Sequence, residues 1–150
     1  MLIGVAKETW PGEVRSALVP ANATKLIKSG FSISMESGAG QAAGFTDQQY
    51  TDAGVSIVSS RAELMAAADI FLAVRKPDTA EVDQLKSGAI SVSFLDPYNE
   101  KALIEALAAK GVTSISMEMI PRSTRAQKMD ALSSQANLAG YVTVVQAAYN

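Results

Sequence analysis

Short runs of apolar residues alternate along this chain with stretches in which apolar positions return every three or four residues. The first rhythm predicts buried strands, the second helices with one apolar face. Residues 2–6 predict the first strand, and residues 7–19 a polar connection holding Glu8, Trp10, Glu13 and Arg15. Pro20 suits a helix start, so residues 21–29 read as a helix closed by Gly30. Further strands are expected at residues 31–35, 55–58, 70–74, 90–95 and 112–117. Thr46 with Gln49, Ser60 with Glu63, and Asp78 with Glu81 have the spacing of residues that open helices. The last of these is expected to stop at Gly88. Asn99 is placed to cap a helix over residues 100–110, with Leu103, Ala106 and Leu107 facing inward. Asp130 is placed to cap a long helix over residues 131–150. On it Leu138, Tyr141, Val142, Val145 and Ala148 form one apolar face.

Strands separated by helices of about ten residues imply βαβ units and a parallel sheet. The expected fold is three-layer α/β: a mostly parallel sheet of about six strands, with helices on both faces and a long final helix. This is flavodoxin- or Rossmann-like. Ligands in such sheets bind at the carboxyl ends of the strands. Arg15, Arg75, Lys76, Asp96, Asn99 and Arg122 all fall there. Strand-end loops are polar in α/β proteins generally, so these charges do not by themselves define a site. The segment ESGAGQAAGF at residues 36–45 follows a strand, as a dinucleotide fingerprint would. Its helix starts too late, at Thr46, and no acidic residue closes the next strand, so Gly38 and Gly40 read as turn residues.

Composition narrows the chemistry. At 150 residues, 48% hydrophobic and 19% charged, the chain is an ordinary globular one, long enough to bury a core. A net charge of −2 gives no reason to expect nucleic acid or an anionic membrane surface as a partner. The chain has no cysteine and no histidine. A His/Cys zinc site, a Ser-His couple and a Cys-His couple are therefore excluded, and no metal site is expected. The opening MLIGVAKE lacks the apolar stretch of a signal peptide, and residues 65–74 are too short to cross a bilayer. The segment is expected to be soluble.

The most informative stretch is residues 121–141, PRSTRAQKMDALSSQANLAGY. A glycine-free polar loop with Arg122, Arg125 and Lys128 runs into a helix N-terminus, where backbone and side-chain donors meet a small polar ligand. The same pattern also suits a solvated surface loop.

Three segments carry a family resemblance: IGVAKETWPGEVRSALVP at the start, ESGAGQAAGF with Tyr50 and Ala53-Gly54, and MEMIPRSTRAQKMDALSSQANLAGY. Together they resemble the amino-terminal domain shared by alanine dehydrogenase and the nicotinamide nucleotide transhydrogenase alpha subunit. The RAQ-x-MDALSSQAN segment looks like the transhydrogenase branch. In alanine dehydrogenases an arginine near the N-terminus and a lysine after the fourth strand hold the substrate carboxylate, and a histidine serves as acid/base. Arg15 fits the arginine and Arg75 falls at or near the lysine. Phe94-Leu95-Asp96-Pro97 stands where the histidine would be. Amination needs a group that exchanges a proton near neutral pH, so alanine dehydrogenase activity is the runner-up. A third possibility is a non-catalytic α/β module that binds a partner through its final helix.

The resemblance implies the rest. Residues 1–130 would be an N-terminal α/β domain and residues 131–150 the start of an interdomain helix. A second, NAD-binding Rossmann domain with the true glycine fingerprint would follow residue 150. NAD(H) would be the cofactor, with NADP(H) on another component and hydride transfer coupled to proton translocation. Arg122, Gln127, Asp130 and Ser133 would reach the nicotinamide, with Arg125 and Lys128 left to solvent. No residue of this chain would be catalytic in the proton-transfer sense. Implied partners are the second domain and the NADP-binding and membrane components, with a homodimer in the full protein. The implied location is cytoplasmic and peripheral to the inner membrane, or the mitochondrial matrix in a eukaryote. The chain alone would be an inactive fragment.

Overall fold

In the computed structural model, which describes residues 1–149, six strands lie side by side. They are β1 (Leu2–Val5), β2 (Ser32–Glu36), β3 (Ser56–Val58), β4 (Ile70–Arg75), β5 (Ile90–Phe94) and β6 (Thr113–Ser116). Every pairing is parallel and the order is β3-β2-β1-β4-β5-β6. The chain steps outward from β1 to β3, returns to β4 beside β1, and steps outward again. The order reverses between β1 and β4, and that is where a crevice opens at the carboxyl ends of a doubly wound sheet.

The helices divide between two faces. α1 (Pro20–Lys28) and α2 (Asp47–Asp52) cover β1 to β3, where Ala23 and Tyr50 pack with Ile3, Val5, Ile33 and Met35. The Tyr50 hydroxyl donates to the Leu18 carbonyl at 2.8 Å, which satisfies its one polar atom. On the opposite face, α3 (Arg61–Ala67) and α4 (Lys101–Ala109) bring Leu64, Met65, Leu103 and Leu107 onto Phe71 and Leu95. The expected capping pairs at Thr46/Gln49 and Ser60/Glu63 are present.

Three local expectations are corrected. The segment after Asp78 is a 3-10 helix, Thr79–Gln84, and it ends at Leu85 before reaching Gly88. Asn99 does not cap α4: its side-chain amide donates to the Asp96 carboxylate, and Glu100 takes the cap position without a side-chain bond. Gly38 and Gly40 both lie in the turn after β2, as expected, and Gly38 has a positive φ, +73°. A Cβ on Gly40 would lie 2.3 Å from the Tyr50 ring, so Gly40 is there to admit the tyrosine. The Gly38 amide donates to the Asp47 carboxylate at 2.9 Å, so it is engaged within the protein.

The third correction concerns α5 (Ala131–Tyr149). One apolar face, of Leu138, Tyr141, Val142, Val145 and Ala148, is expected on it. Every residue of 132–149 is instead exposed, and the helix carries apolar side chains on more than one side. No described helix is long and apolar enough to cross a membrane.

Candidate ligand-binding site

The handover from β6 to α5 is fixed by short-range bonds. Ser123 organises the loop: its carbonyl accepts from the Gln127 N–H at 2.8 Å, and its hydroxyl accepts from the Ala126 N–H at 3.3 Å. Ala126 is buried and anchors the loop, which lets its polar neighbours project outward. Asp130 caps α5. Its Oδ1 accepts from the N–H groups of Leu132 and Ser133 at 3.0 and 3.1 Å, and its Oδ2 accepts from the Ser133 hydroxyl at 2.5 Å. The Ser133 hydroxyl, with the backbone donors, holds the Asp130 carboxyl below its ordinary range. It is therefore ionised at neutral pH and aimed at the cavity edge. Arg122 Nε lies 3.8 Å from Asp130 Oδ2, an ion pair too long for a hydrogen bond.

Arg122, Gln127, Asp130 and Ser133 line one cavity of about 260 Å³. Ser123 and Thr124 complete it; sequence reading passed them over because hydroxyls in a polar loop carry no distinguishing signal. The set offers guanidinium donors, a side-chain amide that can donate and accept, hydroxyls and a carboxylate acceptor. That inventory suits a neutral planar amide, which presents both a carbonyl and N–H groups. Arg125 and Lys128 stay exposed outside the cavity.

A larger cavity, of about 510 Å³, lies at the reversal point between β1 and β4. Trp10, Arg15, Arg75 and Lys76 form one wall; Phe94, Asp96 and Glu118 form another; Ala131, Leu132 and Gln135 of α5 close it. Its cations are already engaged. Glu13, whose side chain is only 4% exposed, bridges Arg15 at 2.7 Å and Arg75 at 3.0 Å. Lys76 pairs with Glu100 at 2.6 Å. Arg75 and Lys76 both sit over the Trp10 ring, and Arg15 over Phe94. Arg15 held against Glu13 brings that carboxyl down to about 2. Among the described non-glycine residues, Asp96 alone has positive φ, +52°. The Glu118 carboxylate holds that turn by accepting from the Leu95 and Asp96 N–H groups and the Ser116 hydroxyl. Burial pushes the Glu118 carboxyl up, and these bonds outweigh it and leave it lowered. The first turn of α5 separates the two cavities, and Arg15 Nη1 reaches it by donating to Gln135 Oε1 at 3.4 Å. Among the described residues no acidic cluster could hold a metal ion.

An all-parallel sheet of six strands with helices on both faces defines the class: an α/β domain of the Rossmann-like kind. The family is narrower. Residues 4–139 match the alanine dehydrogenase/PNT N-terminal domain, and the chain belongs to that family. It is 46% identical, over its full length, to the NAD(P) transhydrogenase subunit alpha of Cereibacter sphaeroides, of which it covers 29%. It is 31% identical to the alanine dehydrogenase of Mycobacterium tuberculosis, again over its full length and covering 40% of that protein. A solved transhydrogenase from Sinorhizobium meliloti superposes with a TM-score of 0.91 at 42% identity, over 99% of this chain and 42% of that one. The chain thus spans less than half the length of these relatives.

Proposed function

We propose that this chain is the N-terminal part of the NAD(H)-binding component of an NAD(P) transhydrogenase, and that it grips the carboxamide of the nicotinamide. The observation that carries this reading is the convergence of Arg122, Gln127, Asp130 and Ser133 on one polar cavity. Gln127 matches a carboxamide in both directions, donating to its carbonyl and accepting from its N–H. Arg122 donates, Asp130 accepts, and Ser133 orients Asp130. The cofactor supplies the hydride; these residues fix the plane and position of the ring, which is where binding energy becomes rate. Hydride passing between two nicotinamides moves no proton at the donor carbon, so a chain without histidine is no obstacle.

On this reading the adenine and pyrophosphate are held by a second domain, since the Gly38 amide in the glycine-rich turn after β2 is already bound to Asp47. On this reading NADP(H) sits on another component. Proton translocation, a homodimer and a place beside the inner membrane belong to the assembled enzyme. The alanine dehydrogenase reading is weaker. Arg15 and Arg75 share one internal carboxylate, and Asp96 is a strained turn acid held by Asn99. The chain has no histidine to exchange a proton near neutral pH.

Amide NMR of the chain during titration with NADH tests the proposal. The expected result is weak, millimolar binding with shifts at Ser123, Gln127, Leu132 and Ser133, abolished by Gln127→Ala. Shifts centred on Trp10 and Arg75, or micromolar affinity from this chain alone, would overturn it.

A further inference from the structure

The start of a helix attracts anions, because its first N–H groups have no partner within the helix. At α5 that place is taken. Asp130 Oδ1 accepts from the Leu132 and Ser133 N–H groups at 3.0 and 3.1 Å, which uses both of its lone pairs. Oδ2 accepts from the Ser133 hydroxyl at 2.5 Å and keeps one lone pair. Arg122 does not use it, since its Nε stays 3.8 Å away. The Asp130 carboxylate is thus the protein's own anion, where a ligand's anion would otherwise sit.

The two charges of this cavity differ in their access to water. The Asp130 side chain is 6% exposed and that of Arg122 is 65% exposed. Solvent screens the guanidinium and hardly reaches the carboxylate, so Asp130 sets the field inside the cavity. Ser133 reinforces it. Its hydroxyl hydrogen is committed to Asp130, which leaves its oxygen as a second acceptor in the lining.

We propose that Asp130 makes this cavity selective for a carboxamide over a carboxylate, so that the domain takes nicotinamide dinucleotides and refuses their deamidated, nicotinic acid counterparts. This selectivity rests on the nicotinamide reading above and adds which substituent on the ring is admitted. The two substituents have the same size and plane. One edge of the amide carries N–H donors, where the acid carries lone pairs and a negative charge. An amide N–H meets the remaining lone pair of Asp130 Oδ2. A carboxylate oxygen would set lone pair against lone pair and charge against charge, beside a group that water does not screen. A site built to bond a ligand N–H rejects the analogue that lacks it, because its own acceptor is left unpaired. A dinucleotide must then carry its amide before this domain can use it.

Amide NMR titrations with NADH and with its reduced nicotinic acid analogue test this selectivity. The acid should bind at least about tenfold more weakly at neutral pH, judged by the shifts of Gln127 and Ser133. The methyl ketone analogue, which lacks the N–H groups but carries no charge, should fall between the two. Asp130→Asn keeps the cap, since asparagine caps a helix as well as aspartate does, and it offers N–H donors in place of the lone pair. It should erase or reverse the preference with unchanged far-UV dichroism. The wild-type comparison needs no variant and holds whether or not Asp130→Asn folds. Equal affinity for the two dinucleotides, with Gln127 and Ser133 shifted by both, would leave the nicotinamide grip in place and overturn selection by Asp130. So would a preference that survives in folded Asp130→Asn. Shifts at these residues from neither dinucleotide would remove the grip and the selectivity together.

Discussion

Gly40 and Tyr50 illustrate how much a single atom decides. The tyrosine ring fills the space where a Cβ would stand, 2.3 Å away. Tyr50 is fully buried and has its hydroxyl bonded, so it has no room to retreat. Gly40→Ala should therefore destabilise the domain by about 2 kcal/mol, read as a lower urea midpoint with unchanged slope. The opposite sign is expected at Ser93. Its hydroxyl is buried without a partner, as are those of Ser91 and Ser114. Removing an unsatisfied polar atom at constant shape relieves a desolvation cost, so Ser93→Ala should stabilise by about 1 kcal/mol in the same urea experiment. Both residues were visible in the sequence, and neither role was. Gly40 sits among turn glycines, and its partner Tyr50 is on α2. The serines of β5 look like ordinary strand residues until the face they occupy is known.

At the scale of elements, the connection from β1 to α1 is held to β4 by carboxylates. Glu8 accepts from the Val74 and Arg75 N–H groups, and Glu13 bridges Arg15 and Arg75. The Arg15 guanidinium lowers the Glu13 carboxyl from 4.5 to about 2. A carboxyl with a lower pKa in the folded state stabilises fully above its unfolded value and loses that contribution as pH falls through the folded one. The stability from Glu13 is therefore complete above pH 4.5 and disappears toward pH 2. Glu13→Gln should cost about 2 kcal/mol at pH 7 and flatten the fall in urea midpoint across that window. The order of strands and helices was legible because apolar runs and capping pairs are local. The misassigned cap at Asn99 and the early end of the segment that Asp78 and Glu81 open were not, because both depend on the turn geometry. Asp96 in its left-handed turn draws in the Asn99 amide. The four cavity residues were implied by the family resemblance, and they lie together because they sit within one short loop and the first turn of one helix. The larger cavity draws on five separate segments, and its internal neutralisation by Glu13 has no local signature.

For the molecule as a whole, the two core clusters lie on opposite faces of one sheet and neither includes a residue of α5. A chain ending at Ser134 should therefore still fold cooperatively. Urea unfolding of the shortened chain followed by far-UV dichroism should give one cooperative transition, and a broad multiphasic loss of signal would show that α5 is needed for the fold. The all-parallel order has one more practical result. Both cavities open on the rim where strands finish, while the turns entering β2, β3, β5 and β6 sit on the far rim. A strand of five residues separates the rims by ~17 Å. A fluorophore or surface tether joined at Ser29 or Lys110 would thus report on the domain from a distance, without trespassing on the ground where a ligand lands.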